Sequence, residues 1–490
     1  MSLGLAYEIA RGSLAANSIS SSVISRNIAN VDNPNAARKT ANISTNSGGG
    51  VKVDGIDNAV DAALFEGVLS SGAKESELKT ISAALNRLEA SVNDPQLGLS
   101  ANALLSQMKS ALQAAAAAPQ DENLARNILS AATNVANGLN VAGSLVDKVR
   151  SDANADLLNG ADQLTGLLAR FETANNDVAA GTTLGRDVTE QIDERNGLLR
   201  DIAGLVDVHS TVRGNNDMVL FVANGTTLFE TVPRKISVDT SAGLSPGQSG
   251  GALSIDGIPF SGAQGSRLGG KLGGALQVRD VVAVTFGRQL DEVARGAIET
   301  FSEGDQSAVP SGPDLAGLFT YPGGPSLPAN GIAAPGLART IKVNPSVDPS
   351  QGGNLALLRD GGISNTADPN YDYNPTRATG FSDRLRQLGA KLSQSQSFDA
   401  SAGIGTSKGL LGFAADSAGW LENARSVNSE QLQQKQVLNE RATGAWQSSV
   451  GINLDEELTL LMSLEKSFQA SSRLINTVNT MFDALLQVAR

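Results

Sequence analysis

The stretch Asn453–Arg490, NLDEELTLLMSLEKSFQASSRLINTVNTMFDALLQVAR, decides how this chain is read. Apolar or small side chains recur at steps of four and three, or their sum, through Leu454, Leu458, Leu461, Phe468, Ser472, Ile475, Phe482 and Leu486. A second seam runs beside it through Leu460, Leu464, Ser467, Ser471, Leu474, Val478, Met481, Leu485 and Val488, and no proline or glycine interrupts either. A stripe in step with seven residues stays on one side of a slightly underwound helix, so the spacing predicts a helix that seeks partner helices. Two adjacent seams widen the apolar face enough for more than one partner. Asn453, three residues before Glu456, offers a capping box, and Asp455, Glu456 and Glu457 set negative charge at the positive end of the helix dipole. At about 1.5 Å per residue, the helix would run roughly 55 Å.

Residues 1–31 repeat the design. Leu5, Ile9, Gly12, Ala16, Ile19 and Val23 form one seam, and Ala10, Leu14, Ser21, Ile24, Ile28 and Val31 a second, before Asp32-Asn33-Pro34 stops the helix. The two termini are therefore expected to pair with each other and with copies in neighbouring subunits. Ser467, Ser471 and Ser472 are expected to be sites of close subunit approach.

Between the ends, residues 35–56 read as a linker holding Ser47-Gly48-Gly49-Gly50 and a short extended Val51-Lys52-Val53. Four-three spacing then returns in Leu78–Val92, Val135–Val149 and Val188–Val206, with helix boundaries at Asn93-Asp94-Pro95 and Ala118-Pro119. From Val208 to Phe260 the pattern is two-fold and turn-rich, with Asn224-Gly225 and Asp256-Gly257 as tight-turn pairs. Helix resumes after Gly269-Gly270-Lys271-Leu272-Gly273-Gly274, and ten of the sixteen prolines fall in 305–380. The expected fold is mainly α with an inserted β-domain: paired terminal helices as a coiled coil, a long-helix bundle and a distal β-rich domain. The boundaries are 1–45 with 451–490 for the terminal part, 57–206 with 270–304 and 381–450 for the bundle, and 207–269 with 305–380 for the outer part.

A chain of 490 residues with net charge −12, and no basic stripe interleaved with aromatics, gives no reason to expect nucleic-acid binding. Cysteine is absent, so disulfides, thiolate metal sites and thiol nucleophiles are excluded together. The one histidine, His209, is expected on a strand-edge surface, because a single His cannot build an HExxH zinc site. No run of about 18 apolar residues suggests membrane insertion, and residues 1–31 lack the basic start and apolar core of a cleavable signal. Lys271 lacks the spacing and the following Ser/Thr of a phosphate loop. No residue is assigned to catalysis, a cofactor or a metal.

The terminal sequences Asn27-Ile28-Ala29-Asn30…Pro34…Arg38 and Gly451-Ile452-Asn453-Leu454-Asp455-Glu456-Glu457…Phe468-Gln469-Ala470-Ser471-Ser472-Arg473…Phe482-Asp483-Ala484-Leu485-Leu486 resemble the bacterial flagellar axial proteins. The internal stretches Glu190–Leu199 and Gly270–Asp280 narrow the resemblance to the hook-associated protein 1 family, the first hook–filament junction proteins. Asn35-Ala36 stands where the family has Gly-Tyr. The resemblance implies a non-enzymatic structural protein of the flagellum that polymerises in a ring or helical lattice through its terminal helices. The implied interface residues are Leu5, Ile9, Ile19, Val23, Asn27, Asn30, Leu458, Leu461, Phe468, Ile475, Phe482 and Leu485. Implied partners are further copies of the chain, hook protein, hook-associated protein 3 and a cytoplasmic export chaperone, with Leu464, Leu474, Val478 and Met481 as chaperone-binding candidates. An extracellular place at the hook–filament junction, reached without a cleavable signal, is implied as well. Hook-associated protein 3, hook protein and an enzyme-bearing axial protein are the alternatives.

Overall fold

The computed structural model describes residues 2–46, 49–92 and 98–488. Helix α1 (Leu3–Ala29) is capped by Ser2, whose hydroxyl accepts from the Leu5 N–H at 3.3 Å, and it closes at Asn30, short of Pro34. The segment expected to be a linker is instead a β-hairpin of β1 (Lys39–Thr45) and β2 (Val51–Asn58), antiparallel with an irregularity between Asn42 and Ile43. It lies on α1, where Gly12 makes room. A Cβ at Gly12 would stand 2.9 Å from the Val51 carbonyl oxygen.

Four helices follow: α2 (Ala62–Val92), α3 (Ala101–Ala117), α4 (Glu122–Thr183) and α5 (Thr189–Leu205). The boundary expected at Ala118-Pro119 is present, while Asn93-Asp94-Pro95 lies outside the described residues. Asp121 caps α4 by accepting from the Asn123 N–H at 2.8 Å. The 62 residues of α4 span ~93 Å and carry a buried stripe from Ile128 to Val178 at helical spacing. That single helix contributes to two cores. Its first half packs with α3, α8 (Ala283–Thr300) and the start of α12 (Leu410–Val450). Its second half packs with α2, α5 and the strands that follow α5.

Those strands form two small antiparallel sheets, β3 (Val208–Val212), β4 (Met218–Val222) and β5 (Thr227–Phe229), then β6 (Ile236–Val238), β7 (Leu253–Ile255) and β8 (Ile258–Phe260). Both expected turns are there, with Asp256 and Gly257 at φ 51° and 80° joining β7 to β8. The chain returns through α6 (Gly265–Leu268), α7 (Gly270–Gln277) and a π turn over Val278–Val282 that runs into α8. The glycine-rich run around Lys271 serves close packing. Gly270 has φ +59° with its α-carbon against the Leu205–Val206 backbone, and a Cβ on Gly274 would stand 2.7 Å from the Glu77 carbonyl of α2. Gly274→Ala is therefore expected to push α7 off α2 and lower stability by about 1–3 kcal/mol, read as an earlier urea midpoint.

Residues 305–380, expected to share the outer region with 207–269 or to be laid over the bundle, lie on the bundle. Phe319, Leu337, Ile341, Val347, Leu355 and Leu358 belong to the core of α4 and α8, whereas the sheets β3–β8 fill the other. This stretch holds the pair β9 (Phe319–Thr320) with β10 (Lys342–Val343), the single turns α9 (Leu337–Thr340) and α10 (Leu357–Asp360), and 3-10 turns at Pro345–Val347, Pro349–Gln351 and Pro369–Tyr371. Buried Glu303 ties it down by accepting from Arg384 at 2.6 Å and from the Ser364 N–H and hydroxyl at 2.7 Å. After α11 (Asp383–Lys391), a hairpin of β11 (Ser395–Ser397) and β12 (Ser407–Gly409) interrupts the segment 381–450 assigned to the helical bundle, before α12 and α13 (Leu454–Val488).

Candidate assembly interface

Asn453 starts α13 by accepting from the Asp455 and Glu456 N–H groups at 3.0 and 3.3 Å. The Glu456 side chain reaches Arg38 at 3.2 Å rather than turning back to complete a capping box. The helix then runs alongside α1. Ser13 and Ser471 hydroxyls meet at 3.0 Å, and the Asn17 amide donates to Ser467 at 2.9 Å. Leu461, Leu464, Ser467, Ser472 and Ile475 are half-buried, and Ser471 and Val478 are buried. The contact thus draws on both predicted seams. Ser467 and Ser471, expected to mark close approach between subunits, are used inside the chain, because the facing Ser13 and Asn17 are small or polar enough to meet them.

What remains of the seams faces solvent. Leu5, Ile19, Leu458, Phe468, Phe482 and Leu485 are all exposed, from 38% for Leu5 and Phe482 to 59% for Leu485. Leu454, Leu460, Met462 and Leu486 join them, although the sequence reading did not single these out as interface positions. Ile9 and Asn30 are half-buried, whereas Val23 and Asn27 are enclosed within the chain. Among the chaperone-binding candidates, Leu474 and Met481 are exposed, and Leu464 and Val478 turn towards the chain's own packing. A notch of about 460 Å³ opens between the helices, lined by Asn17, Ser18, Ser21, Leu461, Leu464, Glu465 and Phe468. So much apolar surface on one slender element marks a contact site.

At its base the pair is fastened by a buried polar cluster. Asn27 exchanges two hydrogen bonds with the Lys39 backbone, its amide donating to the carbonyl at 2.9 Å and its oxygen accepting from the N–H at 3.0 Å. The same amide donates to Glu457 at 3.0 Å, and Arg38 Nε donates to the other Glu457 oxygen at 2.7 Å. Lys39 Nζ is buried and reaches Asp193 at 2.7 Å and Glu190 at 3.3 Å. Burial holds the Asp193 carboxyl above the ordinary range, against the opposing pull of Lys39 and the Ala37 N–H. Arg26 pairs with Asp187 at 2.9 Å. Burial raises Asp187, but its bonds from Thr189 and Arg26 outweigh that and leave its pKa lowered. One cluster therefore joins α1, the hairpin, α5 and α13. Lys39, Asp193 and Glu457 were missed as interface-defining residues, although Asp193 and Glu457 stood inside the quoted motifs.

His209 is on β3, half-exposed, with its Nδ1 against Glu66. Among the described residues there is no group of His, Asp and Glu side chains able to hold a metal ion, and no helix long and apolar enough to cross a membrane.

A family model described as the flagellar hook-associated protein FlgK helical domain matches residues 85–317. A second, described as the C-terminal region of the flagellar basal body rod FlgEFG proteins, matches residues 446–488. The chain is 22% identical over 429 residues to flagellar hook-associated protein 1 of Bacillus subtilis (strain 168), across 82% of this chain and 79% of that one. The solved structure of the flagellar hook junction protein FlgK from Burkholderia pseudomallei shares the fold, with a TM-score of 0.58 at 14% identity, over 78% of this chain and 100% of the other.

Proposed function

We infer that this chain belongs to the hook-associated protein 1 family of the bacterial flagellum, and from that premise we propose that its α1–α13 pairs associate side by side to build the junction between hook and filament. It is a structural protein of the extracellular flagellum. The observation that carries the mode of assembly is the apolar surface left open on α13 after α1 has taken its share: Leu458, Phe468, Phe482 and Leu485 are exposed on a helix already paired. Each such side chain, already about half covered, contributes on the order of 1 kcal/mol when a neighbouring copy covers the rest.

Hook protein on one side and hook-associated protein 3 on the other are the proposed neighbours, and the protein is proposed to work without catalysis. Export proceeds without removal of a signal, and a cytoplasmic chaperone covers α13 until then. Leu474 and Met481 suit such a chaperone as they stand. Leu464 and Val478 become available to it only when α13 is off the chain's own body, so the chaperone-bound form is one in which α1 and α13 are apart.

Deleting 454–490 is expected to leave a soluble monomer with an intact bundle that does not join hook to filament. Sedimentation and circular dichroism check the first half, and motility with labelling at the hook–filament boundary checks the second. Normal motility from the truncated chain would overturn the proposal.

A further inference from the structure

A mostly apolar cleft lies away from the exposed face of α13. It measures about 690 Å³ and sits at the neck, where the end of the hairpin, the start of α2, α5, β3 and the last turns of α12 converge. Phe65, Met218 and Trp446 form its floor, and Phe65 and Trp446 stack obliquely with centroids 5.6 Å apart. Val60 and Val212 stand at its mouth, 76% and 54% exposed. Asp61 and Glu66 line it, and among the described residues neither has a lysine or arginine partner: Asp61 accepts from the Leu64 N–H and Ser449, and Glu66 meets His209. The one cation among the lining residues, Arg195, is buried, and its Nη1 donates to Asn175 and the Asn216 carbonyl rather than to Asp61 or Glu66. The cleft thus asks for an apolar side chain with a positive charge beside it.

The same chain carries that combination. Between α4 and α5 the turn Leu184-Gly185-Arg186 projects into solvent, with Leu184 63% exposed. Its shape is set by bonds from the Leu184, Gly185 and Arg186 N–H groups to the carbonyls of Ala180, Thr182 and Gly181, and by Gly185 at φ +63°. Arg186 is exposed and makes no ion pair among the described residues. The turn is level with the cleft: Asn58, which lines the cleft, donates to the Thr189 carbonyl at 3.0 Å, two residues after Asp187 anchors the turn to Arg26 of α1. Knob and cleft therefore both lie at the root of the α1–α13 pair.

We propose that the Leu184–Arg186 turn of one copy inserts into the Val60–Val212 cleft of the next, with Leu184 over Phe65 and Trp446 and Arg186 facing Asp61 and Glu66. This rests on the side-by-side assembly proposed above and adds to it a second contact at the neck. Different patches meet on the two copies, so the contact repeats from subunit to subunit around a ring or helix instead of closing a dimer.

Cysteine is absent from the chain, so two introduced thiols report without background. In cells making the full chain as Leu184→Cys/Val60→Cys, oxidation of isolated hook–filament junctions is expected to give a ladder of dimers, trimers and longer products on a non-reducing gel. Neither single variant should give the ladder, and adding Arg186→Glu should cut the linked fraction at least threefold. Both cysteines replace exposed side chains, and labelling at the hook–filament boundary shows that the variant has folded and assembled. Label at the boundary with only monomers on the gel overturns the neck contact and leaves the assembly reading standing. Linkage of the Val60→Cys chain to a protein of another mass overturns a second copy as the occupant. Absence of the unmodified chain from the boundary overturns the assembly reading and this contact with it.

Discussion

Glu457→Ala releases the terminal helix pair from the rest of the subunit while leaving the bundle folded. Glu457 is 1% exposed and receives Asn27 on one oxygen and Arg38 on the other. Removing it leaves the buried Asn27 amide with the Lys39 carbonyl alone and Arg38 with only the exposed Glu456. Taking one partner from a buried charged group costs about 3 kcal/mol here, because Arg38 is partly open to water and recovers some of its solvation. The loss is local, since among the described residues the Glu457 carboxylate bonds only Asn27 and Arg38, neither of which belongs to a bundle core. Amide hydrogen exchange should therefore rise about 100-fold in α1 and α13 and stay unchanged in α4 and α8. Glu457→Gln keeps an oxygen for one donor and should show a smaller rise. Exchange in α13 no faster than in the parent chain would remove the cluster's role as fastening.

A still larger effect is expected at Arg279→Ala, where the damage is to the body. The Arg279 guanidinium is fully buried in the π turn and donates to both Asp280 oxygens at 2.8 Å, to Asn154 of α4 at 2.8 Å and to the Gly251 carbonyl at 2.7 Å. Asp280 in turn accepts from the Gly250 N–H at 2.9 Å, so one pair of side chains holds the strand-connecting loop to the helices. Truncating Arg279 strands a buried carboxylate, and urea unfolding should show about 4 kcal/mol lost. Arg279→Met with Asp280→Asn removes the stranded charge as well, and it should recover roughly half of that loss. A double variant no better than Arg279→Ala would mean that the loop tether, not the orphaned charge, dominates.

The helices at both ends, the turns at Asn224-Gly225 and Asp256-Gly257 and the α3 boundary at Ala118 were legible because each rests on neighbours in sequence. The hairpin 39–58 was not. Its two-fold alternation breaks at Asn42–Ile43, and its seat on α1 is a long-range fit of Val51 against Gly12. The placement of 305–380 was hidden for the same reason, since Phe319 and Leu337 join a core whose other walls lie far off in the chain. The interface was legible in composition but not in allocation. Periodicity marks which side chains are apolar, whereas the division between α1 and solvent depends on where the chain's own helix docks. The polar cluster was the least visible part: Asn27 and Glu457 are 430 positions apart, and read singly each passes for a surface residue.

The pairing of α1 with α13 also has a meaning in time. One partner precedes the other by most of the described chain. Until α13 arrives, Asn27 and Arg38 lack Glu457, and Ser13 and Asn17 face no serines. A chain interrupted anywhere between the two helices therefore lacks α13 and the apolar face it leaves open. On the assembly proposed above, the geometry admits only chains in which both helices are present and paired.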